Sequence, residues 1–278
     1  MKKLLVFGFF LMLLLGCASQ NENNGTGKAI VGVTIAPQTE FVERIGGNKV
    51  EAVLMVPPGA SPHTYEPTPR QLEKISSADM YAKVGSGIEF EISWLGNLID
   101  LNKEMLVVDC SEGIELLGTD PHIWLSPKNA KIMAENIYQG LVEVDPGNVV
   151  YYSKNKEQYL QELDGLDLLI ENSIKGKENR KFIVYHPAWG YFADEYGLGQ
   201  ISIEDEGKGP TPKGIVSVIK QAKENNISVV FASPEYSISS AETISQEIEG
   251  NVLLISPLEK NYISNLEQVA ETFKQHMK

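Results

Sequence analysis

Compact metal-binding motifs are missing from this sequence: there is no HExxH run and no paired CxxC, and 278 residues contain only two cysteines and four histidines. A site written into one short segment is thereby excluded. Basic residues are outnumbered, 24 Lys and Arg against 37 Asp and Glu, for a formal net charge of −13. No basic cluster is visible, which argues against nucleic acid as a partner. The acidic excess attracts cations only as a diffuse field and does not by itself make a site. A bilayer-spanning run, which takes roughly 20 apolar residues, is lacking too: the apolar run Leu4–Leu15 is too short. There is no short-period repeat, and no low-complexity tract beyond one polar stretch near the start.

The short apolar run is informative because of its flanks. Lys2 and Lys3 precede it and Gly16-Cys17 follows it, the charged, apolar, small order of a cleaved export signal. Leu14-Leu15-Gly16-Cys17 resembles the bacterial lipoprotein processing box, which implies a lipid on Cys17; an ordinary leader with a nearby cysteine is the alternative. Residues 1–16 are expected to be a signal peptide. Residues 17–27 (CASQNENNGTG) follow as a lipid-anchored flexible tether, too polar to bury a core. The mature chain is then extracytoplasmic and held at the cell membrane, and losing two leader lysines takes its charge from −13 to −15. With Cys17 acylated no intrachain disulfide can form, and Cys110, in the apolar stretch MLVVDC, reads as a small buried thiol.

The roughly 250 remaining residues can build one large domain or two ordinary ones. Alternation favours two. Strand patterns over 29–34, 50–56 and 80–84 alternate with helical patterns over 37–45 and 68–77, and another helix runs from 128 to 141 behind Ser126-Pro127. From 149 to about 175 there is no proline and one glycine, with apolar residues at helical spacing: a long helix. Alternation then resumes, with strands over 182–185, 228–232 and 252–255 and helices over 211–225, 239–248 and 265–277. The fold class expected is α/β: two lobes, each a mainly parallel sheet flanked by helices, joined by one long rigid connector helix. The boundaries are 28–147 for the first lobe, 148–176 for the connector and 177–278 for the second lobe.

Three of the four histidines occupy similar places. His63 lies in the loop VPPGASPHTYEPTP after a strand, His122 in GTDPHIWLSP before a capped helix, and His186 at the end of the strand FIVY. Ligands in open α/β sheets bind beyond the carboxyl ends of the strands, so the three loops can converge on one crevice. Each histidine has a proline neighbour that stiffens its loop. Taken singly, each could equally be a hydrogen-bonded or surface residue. Taken together they suit zinc, which favours neutral imidazole and tetrahedral coordination. His276, in a polar terminal helix, is assigned no role. Trp124, Trp189 and Tyr191 wall the site or belong to the core, and the run Glu204-Asp205-Glu206 reads as a solvated loop.

The stretches VPPGASPHTYEPTPRQLEKISSADMYAKVG, DPHIWLSPKNAKIMAENI, YHPAWGYFADEYGL and EGKGPTPKGI resemble the zinc- and manganese-binding lipoproteins of ABC importers, over nearly the whole mature chain. The resemblance implies two α/β lobes with a metal in the cleft between them, His63 and His122 from the first lobe and His186 from the second. It also implies a carrier and not an enzyme, delivering its metal to an ABC permease and acting as a monomer. Manganese binders of this family tend to carry a carboxylate where His186 stands, so Zn2+ is expected, with Mn2+ as the alternative. Two departures matter. Where relatives often have an aspartate ligand this chain has Ser256, which leaves Glu235, in FASPEYS, or a water as the oxygen ligand. The histidine-rich loop of some zinc binders is absent; the segment reads SEGIELLGTD. A zinc hydrolase using Glu235 as base, and a surface adhesin, are the competing functions.

Overall fold

The computed structural model describes residues 27–204, 209–235 and 238–277. The expected signal peptide, Cys17 and the tether up to Thr26 lie outside the described residues, as do Asp205 and Glu206. The first half comprises β1 (Ala29–Val33), α1 (Ala36–Gly46), β2 (Val50–Leu54), α2 (Pro69–Ile75), β3 (Met80–Lys83), α3 (Glu89–Leu101), β4 (Leu106–Asp109) and α4 (Pro127–Val144). After α5 (Val149–Ile174) come β5 (Lys181–Val184), α6 (Gly190–Glu195), β6 (Gly199–Ser202), α7 (Pro212–Glu224), β7 (Val229–Ala232), α8 (Ser239–Glu247), β8 (Asn251–Leu254) and α9 (Tyr262–His276).

Both sheets are four-stranded and every strand pair is parallel, in the orders β2-β1-β3-β4 and β6-β5-β7-β8. The second half therefore repeats the topology of the first without repeating its sequence. In each sheet the winding reverses beside the first strand, opening a crevice at the carboxyl ends. Helix starts are set by a recurring hydroxyl-proline pair. Ser126 Oγ accepts from the Asn129 N–H at 3.1 Å and Thr211 Oγ1 from the Gly214 N–H at 3.1 Å, while Thr68 caps α2 reciprocally with Gln71.

Four elements have weak sequence patterns, and each is weak for a physical reason. Helix α3 carries Gly96 and starts without a side-chain cap, and β4 has no fully buried residue, being only half covered. Helix α6 has only 6 residues, and β6 (GQIS) is an edge strand with one buried side chain.

Helix α5, 26 residues and ~39 Å long, binds both halves. Towards the first, Tyr159 donates to Glu40 at 3.0 Å, Asn155 donates to the Ile45 carbonyl at 3.0 Å, and Arg44 pairs with Glu162 while stacking over the Tyr159 ring. Towards the second, Tyr196 donates to Asp167 on α5 at 2.9 Å. The largest buried cluster runs without a break from Val31 and Phe41 through Tyr159 and Leu163 to Phe231 and Phe273. A core shared in this way resists large hinge motion.

Two glycines of these helices test the packing. Gly140 of α4 faces β3 and β4, where a Cβ would lie 2.5 Å from Val108 Cγ2 and 2.6 Å from Met80 Sδ. Gly165 of α5 has nothing within 4 Å. Gly140→Ala is expected to destabilise by ~1–3 kcal/mol through overpacking, and Gly165→Ala to stabilise by ~0.5–1 kcal/mol through helix propensity. Urea titration of both variants reads the two signs; the same sign for both contradicts this packing.

Candidate metal centre

Each of the three histidines is aimed by local structure. The loop carrying His63 leaves β2 and returns at α2, where the Gln71 side-chain amide donates to the carbonyls of Leu54 (2.9 Å) and Met55 (2.6 Å), closing the loop at its base. His122 precedes a 3-10 turn, Ile123–Leu125, after the long segment that follows β4. His186 stands two residues past the end of β5. All three thus lie beyond carboxyl ends of strands, and the fold brings them together: one nitrogen from each lies within 4.8 Å of the others. His63 and His122 come from the first half, His186 from the second.

The second nitrogen of every ring is engaged by a carboxylate. His63 Nδ1 meets Glu89 Oε2 at 2.8 Å, His122 Nδ1 meets Asp120 Oδ1 at 2.7 Å, and His186 Nδ1 meets Glu204 Oε2 at 2.9 Å. A carboxylate on Nδ1 holds the proton there and leaves Nε2 as a lone-pair donor. The Nε2 atoms of His122 and His186 are 3.3 Å apart. Two nitrogens bound tetrahedrally to one zinc at ~2.0–2.1 Å would be about 3.3–3.4 Å apart, so this pair already has the spacing of two ligands. The rings open onto a cleft of about 600 Å³ shared by both lobes.

These three carboxylates beside the histidines are what sequence patterns do not single out. Asp120 had one readable signal, its place two residues before His122 in DPH, and Oδ1 also accepts the His122 backbone N–H at 2.9 Å. Glu89 begins α3, an element with a weak pattern. Glu204 corrects an expectation: it is not part of a solvated loop but 5% exposed, directed inward at His186. The adjacent acids lie outside the described residues.

Glu235 is not in the cluster. Its carboxylate accepts from Ser256 Oγ at 2.9 Å and from Ser233 Oγ, and burial raises its pKa. Trp124 and Trp189 are buried. The Trp124 ring lies 5.2 Å from that of His122, and its indole N–H donates to the Pro257 carbonyl at 2.7 Å, across the lobe boundary. Burial pushes the Cys110 thiol far up, as befits an inert core residue.

Burial, and after it the proximity of His122 and His63, drive the His186 pKa down to about 3. His186 is therefore neutral at ordinary pH, with no proton for a metal to displace.

Residues 31–276 match the family of the zinc-uptake complex component A, periplasmic. The chain is 29% identical to the high-affinity zinc uptake system protein ZnuA of Bacillus subtilis, covering 92% of this chain and 88% of that protein. It is 31% identical to the manganese-binding lipoprotein MntA of Halalkalibacterium halodurans, covering 89% and 86%. A crystal structure of ZnuA superposes with a TM-score of 0.86 at 40% identity, covering 90% of this chain and 99% of that one.

The depressed His186 pKa has a consequence for the metal-free protein. Between about pH 6.5, the ordinary histidine value, and pH 3 the unfolded chain takes up a proton that the folded chain refuses. His186 therefore subtracts stability as pH falls through that window, by up to ~1.4 kcal/mol per pH unit. Urea unfolding of metal-free wild type and His186→Gln across pH 6.5 to 4 should give a flatter profile for the variant. Parallel profiles contradict the buried neutral ring.

Proposed function

This chain belongs to the zinc-uptake complex component A family, and from that membership we propose that it is an extracytoplasmic solute-binding protein that captures zinc between its lobes and delivers it to an ABC permease. It is a carrier, not an enzyme. The metal is cargo, held by His63, His122 and His186, with a water in the fourth position. The single observation that carries this reading is the convergence of three imidazoles whose Nδ1 atoms are all occupied by carboxylates.

Zinc is favoured over manganese because the donors are nitrogens. Manganese suits carboxylate and water oxygen, and the oxygen ligand expected from sequence, Glu235, is engaged by two serines. The carboxylates behind the rings raise imidazole basicity and compensate the charge of the incoming ion. With ligands drawn from both lobes, bound metal ties the lobes together, and the permease recognises that arrangement. One chain supplies all three histidines, which supports a monomer. The processing-box resemblance supports anchoring through a lipid on Cys17, with the polar tether giving the lobes reach to the permease.

Calorimetry with zinc should find one ion per chain. His63→Ala, His122→Ala and His186→Ala should each weaken binding by about 100-fold or more, one ligand's share of a several-ligand site. Zinc should displace manganese in competition. Cells lacking the gene should fail to grow under chelation and recover with added zinc. Unchanged affinity in all three variants, or an ester or peptide turned over in a zinc-dependent way, would sink the proposal.

A further inference from the structure

The side chain that aims His122 is held between two lobes. Asp120 Oδ1 accepts both the His122 backbone N–H at 2.9 Å and the ring Nδ1–H at 2.7 Å. Its other oxygen faces the second lobe at the first residue of α6, Gly190. A Cβ built on Gly190 would lie 2.1 Å from Asp120 Oδ2 and 3.3 Å from its Cγ. An aspartate tip can usually swing aside, but here rotation of the carboxylate breaks the two bonds on Oδ1. Gly190 is not among the glycines with positive φ, so its backbone does not require glycine. The missing side chain is required only by Asp120.

Other contacts show the same segment pressed against the second lobe. The Tyr191 hydroxyl, one residue along α6, accepts from the Leu117 N–H at 2.8 Å. On the far side of His122, Trp124 donates through its indole to the Pro257 carbonyl and accepts through its own carbonyl from the Tyr262 hydroxyl, both at 2.7 Å. Helix α6 is itself fixed to its sheet by the Trp189 N–H, which donates to Gln200 at 2.8 Å. The segment from Leu117 to Trp124 belongs to the first lobe by chain order, where Ser86 Oγ donates to the Pro121 carbonyl, and is bonded to the second lobe as well.

We propose that Gly190 is a positioning residue for metal binding: the gap left by its hydrogen lets the second lobe seat Asp120 against His122, so that the packing of the lobes sets the aim of a ligand. Gly190 touches no metal and acts only through Asp120. Lobe position and metal affinity are coupled at this contact, because anything that lifts α6 from Asp120 also frees the His122 ring. The inference rests on His122 being a ligand.

Zinc titration of purified protein against a chelating competitor tests it with four variants. Gly190→Ala should weaken zinc binding by roughly 10-fold or more, the low end of what loss of a carboxylate behind a ligating histidine costs, while one ion per chain still binds. The thermal midpoint of the metal-free protein should fall no further than that of Asp120→Ala, since both variants lose the same two bonds on Asp120 Oδ1. Asp120→Ala should weaken binding likewise, and Gly190→Ala added to it should change affinity less than about 2-fold, because the clash has gone. Equal weakening by Gly190→Ala in both backgrounds, or none in wild type, overturns the proposal. If Gly190→Ala does not fold, recovery of folding in the double variant supports the contact and failure of the double variant to fold overturns it. His122→Ala separates the two levels. If it leaves affinity unchanged, the ligand assignment falls and this inference with it; if it weakens binding while Gly190→Ala does not, only the role of Gly190 falls.

Discussion

An imidazole is a preorganised metal ligand when the proton sits on its other nitrogen and the ring is prevented from turning. Both conditions are met here by one interaction repeated three times, a carboxylate against Nδ1. Without it each ring would exchange tautomers and sample several orientations, and an ion would have to bear the cost of ordering all three. With it, the ion meets two nitrogens already at ligand spacing and a third on the loop closed by Gln71. The carboxylates come from three separate places, the start of α3, the segment after β4 and the residues just past the β6 edge.

The lobes divide the three histidines but not the core. A single apolar cluster passes from one sheet along α5 to the other, and the Trp124 bonds cross the boundary close to His122. A core shared in this way resists large motion between the lobes, and any small shift would fall on the contacts beside His122. A small shift there would change the spacing of the nitrogens.

Much of this was legible in the residues. The strands that lead to His63 and His186, the long connector and the hydroxyl-proline helix starts all show in periodicity and caps. The histidines stand out because there are so few of them. What stayed hidden has physical causes. The strand β6 is short and half-covered, so nothing in GQIS marks a strand, and without β6 there was no reason to see Glu204 turning inward from an acidic run. Likewise α3 lacks a cap, which concealed Glu89 as its first residue. Asp120 was visible in DPH, but its contact with Gly190 joins residues 70 positions apart, and no local pattern encodes such a distance. The engagement of Glu235 by Ser233 and Ser256 is tertiary in the same way.

Selectivity then follows from which atoms converge in the cleft. Three imidazole nitrogens and, among the described residues, no carboxylate in the cluster favour an ion that accepts low coordination and nitrogen donors. X-ray absorption at the zinc edge, on protein loaded with one equivalent of zinc, examines that shell directly. Three imidazole nitrogens at ~2.0–2.1 Å with a single light oxygen completing four-coordination are predicted; fewer than three imidazoles, or a sulfur at ~2.3 Å, would contradict a site built on His63, His122 and His186.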